Sequence, residues 1–231
     1  MYCAVAVRSW GDDVIPHVTV CEALVTQLSL DQRETLLCPS RLEVLSRISH
    51  PQAQAASLTG DLLLCAAVRH VRPDTAFPLV RVARPSGQPY LPDFPDLHLS
   101  ISHSGDRVVC AVADVPVGID LELPRPVRPG LAARWFDADE QALIARDSST
   151  FFDLWMVKEA VLKETGCGLA HGLREVSVAL DPLPYLTRPV FGQLHTIARV
   201  RLSCGHYAML SVPGTVSPAV TVLSPHITDF L

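Results

Sequence analysis

Proline sets the limits on this chain. Nineteen prolines punctuate 231 residues, and they gather at Arg72-Pro73, between Pro85 and Pro95, and between Pro124 and Pro129. Proline lacks a backbone N–H and disfavours helix at the residue before it, so these stretches read as connections. The apolar residues between them fall in short runs. Leu62 to Val68, which no unbroken run exceeds, is far below the roughly 20 residues of a membrane-crossing helix. Short segments in a chain that is 48% hydrophobic predict a globular mixed fold, as one large domain or two small ones. Met1 to Val7 is too brief for a secretory signal and has no basic head. The seven cysteines (Cys3, Cys21, Cys38, Cys65, Cys110, Cys167 and Cys204) are odd in number, scattered, and form no Cys-x-x-Cys. Reduced, mostly buried thiols in a cytoplasmic protein follow. The net charge of −5 disfavours a nucleic-acid binder, which needs a basic face.

The spacing of local signals predicts the elements. Ala4 to Val7 reads as a strand. Ser29-x-x-Gln32 has capping-box spacing and opens a short helix. Pro51 to Val71 reads as a long helix closed by Arg72-Pro73. Leu97 to Ser102 and Arg107 to Ala113 form a hairpin through Ser104-Gly105-Asp106, and Val117 to Leu123 is a third strand. Asp137-x-x-Glu140 starts another helix, and Thr150-x-x-Asp153 caps a longer one that ends at Gly166 or Gly168. Val176 to Leu180, Ala198 to Leu202 and Tyr207 to Val212 close as strands. The order strand, helices, strands therefore occurs twice. The expected fold is α+β, in two halves covering residues 1–115 and 116–231, each a small mostly antiparallel sheet packed with a long helix.

Three segments carry chemistry. In Val117-Gly118-Ile119-Asp120-Leu121-Glu122, side chains alternate, so the apolar set faces the core and Asp120 and Glu122 share the other face. Neighbouring like charges repel, and a hard divalent cation such as Mg²⁺ would relieve them. Water on an exposed strand would do so as well. In the helix Phe151 to Lys163, Trp155, Glu159 and Lys163 share a side. Read as function, Glu159 is a third carboxylate and Lys163 a cation for a phosphate; read otherwise, they are an ordinary surface pair. The chain has 17 Arg but only two Lys, Lys158 and Lys163, five residues apart. An ammonium and a guanidinium are not equivalent where geometry is tight. Ser100 to Gly105 sits at a strand end and turn, where hydroxyls and N–H groups can cradle an anion and His103 can donate to a phosphate. Cation, phosphate cradle, base and lysine together are the parts of a displacement at phosphorus.

The chain resembles the Sfp-type 4′-phosphopantetheinyl transferases. The resemblance rests on Val117 to Glu122, on Trp155-Met156-Val157-Lys158-Glu159-Ala160-Val161-Leu162-Lys163, and on Ile101-Ser102-His103-Ser104-Gly105. Gly87-Gln88-Pro89-Tyr90, Pro92 to Pro95 and Arg134-Trp135-Phe136 add to it. It runs from about Gly87 to Leu180. It implies two pseudo-symmetric α+β halves in a monomer, with coenzyme A between them. It further implies transfer of the phosphopantetheine arm to a serine of an acyl, polyketide or peptidyl carrier protein, with release of 3′,5′-ADP. By motif position, Asp120, Glu122 and Glu159 would hold Mg²⁺. Glu159 would also act as base, and Lys163 would neutralise the breaking diphosphate. Ser102 and His103 would contact the nucleotide end, and Lys158 would make a phosphate or a structural contact. Nucleic acid and membrane are not expected partners. Where the family favours basic residues, the chain has Gln32, Thr35, Ala53 to Ala56 and Gln88. Arg33, Arg47, Arg81 or Arg84 would then have to substitute. A silent relative that docks carriers, or an unrelated metal-dependent phosphodiesterase, are the competing readings. The docking surface is expected within Leu123 to Phe136, through Trp135 or Phe136.

Overall fold

The computed structural model describes residues 14–168 and 172–226; the strand expected at Ala4 to Val7 lies outside them, as does Cys3. In chain order the elements are β1 (His17–Leu24), α1 (Leu30–Leu36), α2 (Pro39–Ser46), α3 (Pro51–Val71), β2 (Val82–Ala83), β3 (Pro89–Tyr90), β4 (His98–Ser104) and β5 (Arg107–Ala113). There follow β6 (Gly118–Asp120), α4 (Leu131–Trp135), α5 (Ala138–Arg146), α6 (Thr150–Thr165), β7 (Val178–Ala179), β8 (Tyr185–Leu186), β9 (His195–Arg201), β10 (Tyr207–Pro213) and β11 (Ala219–Leu223). No helix among the described residues is long and apolar enough to cross a membrane.

Local chemistry explains the helix ends. The Ser29 hydroxyl accepts from Gln32 N while Gln32 Oε1 accepts from Ser29 N, so both halves of the capping box form. Asp137 and Glu140 do the same at α5. Pro51 occupies the first turn of α3, where a missing N–H costs nothing. The expected cap at Thr150 is displaced. Helix α6 starts at that residue, Ser149 precedes it without a side-chain cap, and the Thr150 hydroxyl donates back to Asp147 O. Gly166 ends α6 in the left-handed conformation that glycine adopts without penalty.

The fold is α+β. One sheet has the order β11-β1-β5-β4 and the other β6-β10-β9. Strand alternation sorts the layers. On β5, Val108, Cys110 and Val112 pack under α3 with Leu63, Leu64 and Val68. Val109, Ala111 and Ala113 face the other way, into a core shared with Val117, Ile119 and Leu121 and with Leu210 and Val212 of β10. Met209 points to the opposite side, among Leu154, Val157, Ala160 and Val161 of α6. Helix, sheet, sheet and helix are thus stacked, with α3 and α6 outermost. The expected boundary between residues 115 and 116 falls between β5 and β6, which lie in different sheets. Strand β11 nevertheless returns from the C-terminal end to pair in parallel with β1. The described cysteines are free thiols, and Cys21, Cys38, Cys65 and Cys110 are buried.

The two sheets join edge to edge through serine. β4 and β6 are edge strands, whose outer N–H groups need acceptors. Ser100, Ser102 and Ser104 alternate along β4, and their hydroxyl oxygens accept from the N–H groups of Ile119, Leu121 and Leu123, at 3.0, 3.3 and 3.0 Å. A hydroxyl can accept and donate together. The donating side of this stitch forms the site.

Candidate active site

The acidic strand lies where the two sheets meet α6. Gly118 is required there: a Cβ would stand 1.8 Å from Ala160 O and 2.6 Å from Glu164 N, inside the helix backbone. The close approach lets α6 cover the face carrying Asp120, so that face is not the solvated one an exposed strand would have. Asp120 is 2% exposed. Its Oδ1 accepts from the Ser102 hydroxyl at 2.7 Å and from Lys163 Nζ at 2.6 Å. Its Oδ2 is buried without a partner among the described residues. Burial pushes the Asp120 carboxyl up against the opposing pull of the Lys163 ammonium. Glu122 Oε2 accepts from the Ser104 hydroxyl at 2.8 Å, and both its oxygens accept from Arg125.

On α6, Glu159 turns inward. Its carboxyl is pushed up to about 7, first by burial and then by the charge of Asp120, with a lesser contribution from Glu122; Lys163 and a Trp155 hydrogen bond pull the other way. Lys163 Nζ donates to Ile119 O at 3.2 Å and lies 3.8 Å from Glu159 Oε2. The ammonium therefore bridges the strand and the helix. A cavity of about 400 Å³ opens beside it, lined by Arg81, Gln88, Ser100, Ile101 and Lys163.

The donor chemistry suits a hard cation: three carboxylates within electrostatic reach of one another, one of them presenting a buried oxygen without a partner among the described residues. As the side chains stand, no three His, Cys, Asp or Glu among the described residues lie close enough together to share an ion. Arg125 holds Glu122, and Lys163 holds one oxygen of Asp120.

Other expected site residues are placed differently. Lys158 makes the structural one of its two expected contacts. It is 1% exposed, ion-paired with the equally buried Glu140 at 2.9 Å, and it donates to the carbonyls of Leu173 and Val176. It ties α6 to α5 and to the segment before β7. The Ser102 hydroxyl is committed to Asp120 and Leu121, so the cradle expected from Ser100 to Gly105 presents its Ser102 and Ser104 hydroxyls to the chain's own carboxylates instead of a phosphate. His103 alternates with these serines, is exposed, and lies on the α3 side of β4, away from Asp120. Phe136 is core, and Trp135 is half-buried beneath Arg134.

The departures from the basic pattern have structural uses. Gln88 Nε2 donates to Lys163 O and Glu164 O at 3.1 and 3.3 Å, satisfying terminal carbonyls of α6. Arg33 is bonded to Leu28 O and Gln54, Arg47 pairs with Glu43, and Arg84 stacks on Tyr90. Of the four candidate substitutes only Arg81 lines the cavity, and buried Asp61 holds it at 2.7 Å. Arg125 went unread in the sequence, as did the pairing of the two outer serines with the acidic strand. The alternation Ser100-x-Ser102-x-Ser104 beside an acidic strand was the available signal for the serines.

Comparison with known proteins agrees with this arrangement. Residues 116–207, from before β6 to the start of β10, match the 4′-phosphopantetheinyl transferase superfamily. The chain is 32% identical over 161 residues to 4′-phosphopantetheinyl transferase Sfp of Bacillus subtilis (strain 168), covering 66% of this chain and 72% of that protein. It is 38% identical over 134 residues to 4′-phosphopantetheinyl transferase psf-1 of Bacillus pumilus, covering 54% and 56%. It is also 39% identical over 94 residues to 4′-phosphopantetheinyl transferase HetI of Nostoc sp., covering 37% and 39%. The chain belongs to the 4′-phosphopantetheinyl transferase superfamily, as a member of its Sfp type.

Proposed function

We propose that this protein transfers the 4′-phosphopantetheine arm of coenzyme A to a serine of an apo acyl, polyketide or peptidyl carrier protein, in a Mg²⁺-dependent reaction that releases 3′,5′-ADP. It does so as a cytoplasmic monomer. The observation that carries the reading is the convergence of Asp120, Glu159 and Lys163 at the edge of the cavity between β4 and α6.

The serine hydroxyl is a weak nucleophile and needs a base. Glu159, with its carboxyl near 7, is poised to accept that proton at neutral pH. The serine oxygen bonds to the phosphorus of the arm, the diphosphate bridge breaks, and the electron pair leaves on 3′,5′-ADP. Lys163 offsets the charge that develops on this leaving group. Asp120 and Glu122, with Glu159, would hold Mg²⁺, which when bound supplies Lewis-acid stabilisation of the phosphoryl oxygens. Arg81 and Lys163 are the cavity's basic side chains for the nucleotide phosphates. Ser102 acts by holding Asp120.

Asp120→Ala and Glu159→Gln are expected to nearly abolish carrier loading while leaving the circular dichroism spectrum unchanged. Wild-type-like turnover by either overturns the assignment. One observation favours the competing reading of a silent relative that docks carriers: Gln88 spends its amide on α6, and Arg81 is already paired with Asp61. Calorimetric titration with coenzyme A separates the two readings, since the docking protein would not bind it.

A further inference from the structure

The loop leaving β6 reads Leu123-Pro124-Arg125-Pro126. A proline on each side stiffens the backbone around Arg125, so its side chain is the part free to move. Arg125 Nη2 donates to Glu122 Oε1 at 3.0 Å, and Nη1 donates to Oε2. Nη1 also lies 3.2 Å from Ser104 Oγ, and the guanidinium sits 5.4 Å from the centre of the Phe152 ring. The Arg125 side chain is 54% exposed and that of Glu122 13%. A planar fork thus covers both oxygens of one candidate cation ligand from the solvent side.

Asp120 is treated differently. Lys163 takes Oδ1 only, and Oδ2 stays buried and unpartnered. One carboxylate at the site is fully engaged while its neighbour keeps an oxygen in reserve. Carboxylate lone pairs engaged by a guanidinium are not free for a metal, and two cations a few ångströms apart repel.

We propose that Arg125 is a displaceable counter-cation: it neutralises Glu122 while no metal is bound, and it swings off when a divalent cation takes Asp120 and Glu122. This rests on the cation reading above. Displacement needs side-chain rotation alone, because Arg125 already lines an open groove with Pro126, Val127, Arg128, Phe151 and Phe152. Lys163 cannot take this part, since its contact leaves Asp120 Oδ2 open. The metal must compete with Arg125, so metal affinity is lower than three carboxylates alone would give. The pair is bidentate but half exposed, which places the penalty at about five- to tenfold in affinity.

The test is titration with Mn²⁺, a hard oxygen-seeking stand-in, followed by electron paramagnetic resonance without coenzyme A or carrier. Arg125→Gln is expected to bind Mn²⁺ about five- to tenfold tighter than wild type. Arg125→Lys, which keeps the charge and loses the fork, should fall between them, and Asp120→Asn should bind weakly. Metal-free Arg125→Gln should also melt lower than metal-free wild type and gain more from Mn²⁺. Unchanged or weaker Mn²⁺ binding by Arg125→Gln, with wild type binding normally, overturns the proposal alone. A wild type that binds no Mn²⁺ overturns the cation reading with it. If Arg125→Gln does not fold, the Arg125→Lys affinity decides, and equality with wild type is the refuting result.

Discussion

Replacing Gly118 by alanine tests the geometry that brings α6 onto the acidic strand. The added methyl would meet Ala160 O at 1.8 Å, Glu164 N at 2.6 Å and Ala160 C at 2.8 Å, all of them backbone atoms of the helix. No rotamer change relieves such a clash, so α6 must retreat by roughly 1.5 Å to restore ordinary contact. That retreat opens the packing of Leu154, Val157 and Val161 against the sheet, and it stretches the 2.6 Å contact from Lys163 to Asp120. Overpacking of this kind costs about 3 kcal/mol or more, out of a typical total of roughly 5–15 kcal/mol. A misplacement of about 1 Å in a catalytic constellation lowers rate on the order of a hundredfold. Gly60→Ala is the control. Its methyl would meet side-chain atoms and no backbone, Ile101 Cγ2 at 2.9 Å with Ile101 Cδ1 at 3.7 Å and Val108 Cγ1 at 3.8 Å, so a small shift of Ile101 relieves the clash, and about 1 kcal/mol of helix propensity gained by alanine offsets its cost. Urea denaturation followed by circular dichroism should show Gly118→Ala strongly destabilised and Gly60→Ala within about 1 kcal/mol of wild type. A Gly118→Ala protein as stable and active as wild type would refute the reasoning.

Lys158→Met should cost about 3 kcal/mol in urea denaturation, because it strands the buried Glu140 carboxylate; a loss under about 1 kcal/mol would show that the pair is not needed. Ser102→Ala should lower kcat while leaving the KM for coenzyme A unchanged, since the hydroxyl serves Asp120 and Leu121 N; a raised KM would return Ser102 to the nucleotide. His195, buried against Glu164 at 2.9 Å, has a pKa raised above its ordinary value: burial opposes its charge, but the Glu164 contact prevails. Its stabilising contribution is therefore complete below about pH 6.5 and lost as pH rises through the folded value. Melting temperature against pH should show that fall in wild type and not in His195→Gln, and parallel curves would remove the pair from the account.

What could be read from the sequence was what short-range chemistry decides. The capping boxes at Ser29 and Asp137, Pro51 to Val71, and the hairpin around Gly105 depend on neighbours within a few residues. The alternation that put Val117, Ile119 and Leu121 in the core was equally legible. What escaped depends on distant partners. β1 and β11 pair across some two hundred residues, and no local pattern announces that. The serine stitch needs β4 and β6 to meet at their edges. The clustering of Lys158 with Lys163 in one motif leaves a phosphate or a structural contact open, yet Lys158 lies four residues after Leu154 and three before Val161, on the stripe that α6 buries. Helical spacing already placed it inside; its partner Glu140, on α5, could not be read from the same segment. Arg125 stood in a proline-rich connection and carried no periodic signal at all.

The most direct measurement is intact-protein mass spectrometry of apo acyl, polyketide and peptidyl carriers incubated with this protein, coenzyme A and Mg²⁺, beside a chelator control. A gain of one phosphopantetheine arm on at least one carrier, abolished by the chelator, is the predicted result. No gain on any carrier, while a known transferase loads them in parallel, would contradict the account.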